Sequence, residues 1–72
     1  MDVMTLLDTM EAEKRRVDDR YFQLEDEYRK AREQRDENSA AALCYRAYAA
    51  WNRGTELERA IKIVKEFIKK GP

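Results

Sequence analysis

Residues 3–31 read VMTLLDTMEAEKRRVDDRYFQLEDEYRKA, with apolar side chains at Val3, Leu7, Met10, Val17, Tyr21, Leu24, Tyr28 and Ala31. The steps between them are 4, 3, 7, 4, 3, 4 and 3 residues, and Lys14 stands inside the gap of seven. This is a heptad repeat carried through four turns of the pattern. Val3, Met10, Val17, Leu24 and Ala31 take its d positions. Leu7, Lys14, Tyr21, Tyr28 and Arg35 take its a positions. No Gly or Pro interrupts residues 2–37, so the pattern predicts one long amphipathic helix over that range. Glu11–Arg15, Glu25–Arg29 and Asp26–Lys30 add pairs four residues apart with the acid first, the favourable order on a helix surface.

The a positions set the kind of seam. Lys14 weakens an apolar seam but can fix register or oligomer state. Tyr21 and Tyr28 are too large for a tight parallel dimer and call for small residues on the facing helix. Phe22 lies outside the seam beside Tyr21, so it needs a second neighbour or marks an exposed contact.

Downstream, residues 38–53 read NSAAALCYRAYAAWNR, which is apolar on most sides and predicts a second, buried helix capped by Asn38 or Ser39. One expected stripe is Leu43, Cys44, Ala47 and Trp51. The first heptad also continues in phase through Ala42, Tyr45 and Ala49, so an unbroken helix from Val3 to Asn52 is the alternative. Gly54 suits a helix stop, and Thr55-Glu56-Leu57-Glu58 reads as a capping box opening a third helix over 55–70. Leu57, Ala60, Ile61, Val64, Phe67 and Ile68 give that helix an apolar face, and Gly71 and Pro72 end it.

The expected fold class is therefore all-α. A long coiled-coil-like helix precedes a short helical hairpin in one domain spanning 1–72, and the hairpin packs back as an antiparallel bundle within a homodimer. Residues 1–37 hold 12 acidic and 8 basic side chains, whereas residues 38–72 hold 3 and 7. Opposite halves favour antiparallel contact. A chain of 72 residues buries only about 60% of its unfolded surface, so oligomerisation or a partner would supply what a small core lacks. The expected oligomer seam is Val3, Leu7, Met10, Lys14, Val17, Tyr21, Leu24, Tyr28 and Ala31.

Chemistry is sparse. The chain has no His, one cysteine, and no phosphate-binding glycine loop or metal-spaced cluster, so no cofactor, metal or catalytic residue is expected. Cys44, flanked by apolar residues, is expected in the core. No apolar run reaches membrane-spanning length, and the N-terminal apolar stretch is broken by Asp8, so neither a span nor a signal peptide is expected. The expected compartment is the cytoplasm.

Two surfaces remain as contact candidates. Phe22, Tyr45, Arg46, Tyr48, Trp51 and Arg53 combine the residue types enriched at binding hot spots. Lys62, Lys65, Lys69 and Lys70 form a basic patch that could touch phosphate, although zero net charge argues against nucleic acid as the main partner. The functional expectation is a non-enzymatic protein–protein interaction module. It would be a regulator, adaptor or inhibitor of a larger protein, in the manner of phage-encoded inhibitors of host enzymes or defence systems. A structural coiled-coil oligomerisation subunit and a weak nucleic-acid-binding factor are the alternatives.

Overall fold

Two long helices run side by side in opposite directions. The computed structural model describes residues 2–71. Helix α1 is Val3–Glu33 and helix α2 is Glu37–Lys70, and together they make a hairpin whose Cα extents are 56 × 15 × 15 Å.

Helix α1 begins at a cap. The Thr5 N–H donates to Asp2 Oδ1 at 2.8 Å, and the Thr5 hydroxyl donates to Oδ2 at 3.1 Å. It ends four residues earlier than the sequence pattern predicts. The Asp36 N–H donates to the Ala31 carbonyl at 2.9 Å, and Arg35 adopts a left-handed φ of 57°. That six-to-one bond around a left-handed residue satisfies the last carbonyls of α1 and reverses the chain. Asp36 then caps α2, accepting from the Ser39 N–H at 3.1 Å. The cap is thus Asp36 rather than Asn38 or Ser39, Arg35 belongs to the turn rather than to the seam, and an unbroken Val3–Asn52 helix does not form.

The second and third predicted helices are one. Helix α2 passes through Gly54 without a break, and Thr55 is interior, its hydroxyl bonded back to the Trp51 carbonyl at 3.0 Å. Gly54 serves packing. A Cβ there would lie 3.0 Å from Asp18 Oδ1 and 3.8 Å from Val17 Cγ1, so its bare backbone lets α2 approach α1. That contact offsets the ~1 kcal/mol a mid-helix glycine costs relative to alanine. At the far end Gly71, with φ 70°, closes α2 by donating to the Ile68 carbonyl at 3.2 Å; Pro72 lies outside the described residues.

Burial follows the predicted seam on α1. Leu7, Leu24 and Ala31 are buried, and Val3, Met10, Lys14, Val17, Tyr21 and Tyr28 are half-buried. The covering residues on α2 are Ala40, Leu43, Ala47, Ala50, Gly54, Leu57, Ile61, Val64 and Ile68, which alternate steps of three and four. The seam is therefore filled by the chain's own second helix, which at 34 residues is long enough to cover it. Sizes match across it. Toward the turn, Tyr21, Leu24 and Tyr28 lie over a face of α2 made small by Ala47, Ala50 and Gly54. Toward the open end, the bulk passes to Leu57, Ile61 and Val64.

One stripe of α2 is buried, not most of its circumference. Cys44 is exposed, contrary to the expectation that it sits in the core. Phe67 is 65% exposed, outside the apolar face predicted for it. Both lie off the seam once α2 is read as a single helix in phase with Ala40. Among the described residues no helix is long and apolar enough to cross a membrane.

Two predictions test the turn. Left-handed φ costs a non-glycine residue about 1–2 kcal/mol, so Arg35→Gly raises the melting temperature measured by circular dichroism; a lower one would place the reversal elsewhere. The bonds from Ser39 hold the Asp36 carboxyl below its ordinary 3.8. A lowered folded-state pKa stabilises above the unfolded value and is lost as pH falls through the folded one. Wild-type melting temperature therefore falls between about pH 5 and pH 2, and falls less in Asp36→Asn, where the amide still caps but does not titrate in that window.

Candidate functional site

The seam has two flanks, and they differ. On one flank α1 turns its a positions outward past the contact line, so Tyr21 and Tyr28 are only half covered. Helix α2 answers with Cys44, Tyr48 and Trp51, one turn apart along the same side. With Glu25 at its edge and Ala47 as its floor, this set encloses an open aromatic groove. Trp51 is 53% exposed and Tyr48 64% exposed. Phe22 sits on the outer edge of the same flank at 67%, its ring 5.5 Å from Tyr21 in an edge-to-face contact. The Glu25 carboxylate beside Tyr21 pushes that phenol's pKa up. Nearer the turn, the Arg32 guanidinium lies 5.8 Å from the Tyr28 ring centre and donates to its hydroxyl at 2.9 Å.

Along the same flank toward the open end the lining changes from aromatic to charged. Lys14 Nζ reaches Asp18 Oδ2 at 2.7 Å, with the Lys14 side chain 28% exposed. The Asp18 carboxylate, helped by Glu58, raises the Lys14 ammonium above its usual pKa. Beyond it, Glu11, Arg15, Glu58, Lys62 and Lys65 line a shallow polar groove with Ile61 at its base. Lys62 and Lys65 of the predicted basic patch thus lie among carboxylates, whereas Lys69 and Lys70 fall in the last turn of α2.

The six predicted contact residues do not form one surface. Phe22, Tyr48 and Trp51 share the aromatic flank. Arg53 points to the opposite flank, where it pairs with Glu13 at 2.8 Å and Glu56 at 3.8 Å. Arg46, seven residues before Arg53, occupies the same heptad position and shares that side. Tyr45, 73% exposed, is on the back of α2, facing away from the seam. Sequence reasoning missed Tyr21, Tyr28 and Cys44 as groove residues, having assigned the tyrosines to the seam and the cysteine to the core. Their heptad phase carried the signal, because a-position side chains on one helix meet the flanking row of the next.

Among the described residues no group of three His, Cys, Asp or Glu side chains is placed to hold a metal ion. The carboxylates of the polar groove are open to solvent and interleaved with cations, and Cys44 has no imidazole near it because the chain has none.

Lys14 reports on how the flank meets the seam. A partly exposed ion pair contributes roughly 0–1 kcal/mol, less than the ~1.5–3 kcal/mol for fully burying a leucine side chain. Lys14→Leu is therefore expected to raise the urea midpoint; a lower midpoint would show that the Asp18 pair outweighs the burial gained.

Comparison with known protein families, curated proteins and solved structures finds no match to this chain.

Proposed function

We propose that the chain is a small non-enzymatic protein–protein interaction module that acts as a regulator, adaptor or inhibitor, with its aromatic flank as the surface that docks on the helices of a partner. The observation that carries this reading is the exposure of Phe22, Tyr48 and Trp51 on one side of a rod whose seam is already filled. An aromatic ring side by side with others and rimmed by charge is the composition of a contact surface, not of a solvated face. The hairpin holds these rings on rigid helix, so little backbone freedom is lost when they are covered. In this reading the heptad seam is an intrachain coiled coil, and its role is to present the flank.

The structural-subunit alternative, as a coiled coil through the heptad seam, requires that seam to be free, and α2 covers it. Nucleic-acid binding through Lys62 and Lys65 is disfavoured by their neighbours, since phosphate approaching them also meets Glu11 and Glu58.

The test uses tagged chain as bait in a lysate that also contains the untagged chain. Wild type and Phe67→Ala retain the same bound protein, whereas Trp51→Ala and Tyr48→Ala lose it. Retention in all four would remove the aromatic flank from the docking role.

A further inference from the structure

We infer that the aromatic flank is covered by a second copy of this chain, the two hairpins lying side by side about a two-fold axis parallel to their length. The result is a four-helix bundle with both turns at the same end. This rests on the reading above that the flank is a docking surface, and it names the occupant.

The levels along the rod carry the argument. Gly54 lies against Val17, and α1 rises as α2 falls, so residues at one height have numbers summing to about 71. A two-fold axis along the rod keeps every height and sets α1 of one copy beside α2 of the other. At each height the flank of α1 then meets a complementary flank of α2. Phe22 meets the second copy's Trp51 and Tyr48. Arg15 meets its Glu58, and Asp8 and Glu11 meet its Lys62 and Lys65. In these pairings aromatic faces aromatic and acid faces base, each twice over, as an isologous contact requires.

The perpendicular two-fold fails this test. Centred on the aromatic rings, which lie toward the turn, it sets α1 beside α1 and α2 beside α2, so that Arg15 meets the second copy's Arg29 and Arg32, Glu58 meets its Glu37, and Lys65 passes beyond its turn. The area also fits. One side of a rod 56 Å long and 15 Å wide offers about 800 Å², what a standard interface buries per partner. The need is plain in the thin core: Leu7, Leu24, Leu57 and Ile61 are the only large side chains more than nine-tenths buried among the described residues.

Sedimentation equilibrium of the full chain tests the arrangement, up to about 100 µM, which populates a complex of micromolar Kd. The expected mass is twice the 8.6 kDa of one chain. Phe22→Glu and Trp51→Arg, at exposed positions, each weaken the dimer by about tenfold or more. Mixed together the two variants form a heterodimer. One of its two contacts sets the introduced carboxylate against the introduced guanidinium, and the other keeps Phe22 against Trp51. Circular dichroism of the mixture then recovers any helicity the single variants lose. A monomeric wild type overturns the dimer and leaves the docking reading to the lysate test. A dimer untouched by both substitutions overturns the dimer face and leaves the docking flank to the lysate test. Weakening without recovery on mixing overturns the parallel two-fold.

Discussion

The structure depends on a size match across one seam. Tyr21, Leu24 and Tyr28 are large, and α2 meets them with Ala47, Ala50 and Gly54. Two helices can lie close only where one of them gives up volume. Here α2 gives it up toward the turn and takes it back toward the open end, at Leu57, Ile61 and Val64. The register is marked by Gly54, which lies against Val17 where the two helices approach.

The same match explains why the flank is aromatic. A tyrosine at an a position lies over the edge of the facing helix, and its ring extends past the contact line. Tyr21 and Tyr28 therefore begin a surface that Tyr48 and Trp51 continue. The small residues directly beneath the rings, Ala47 above all, are too short to cover them. The groove is thus a consequence of how the seam is packed, and removing the tyrosines would alter both together.

How much of this was legible in the sequence differs by element. The α1 seam was readable because heptad spacing depends only on which residues are apolar, and every predicted seam position through Ala31 is at least half-buried. The turn was not, because its left-handed position is occupied by Arg35 instead of the glycine that usually marks one. Conversely, Gly54 looked like a stop and is a packing contact. A glycine reports that a side chain is unwelcome; whether a turn or a neighbouring helix excludes it is decided by long-range packing. The capping-box reading of Thr55 failed for the same reason, since its hydroxyl bonds equally well to the Trp51 carbonyl inside a continuous helix. The site was half legible. Phe22, Tyr48 and Trp51 were found by residue type, but their grouping required the phase of α2, which became readable only with the turn placed at 34–36.

Phase also separates the two charge patterns. Arg53 bonds across the hairpin to Glu13 on one flank, tying α2 to α1 within the chain. On the other flank the closest pair, Lys14 with Asp18, stays within α1. On the first flank Arg53 is already engaged by Glu13 and Glu56. A flank whose lysines and carboxylates line an open groove still holds donors and acceptors able to pair with an incoming surface. The aromatic rings and these open charges lie on the same side. Apolar cover and ionic register would thus be supplied by one partner in one orientation, which is the combination that distinguishes a specific contact from general stickiness.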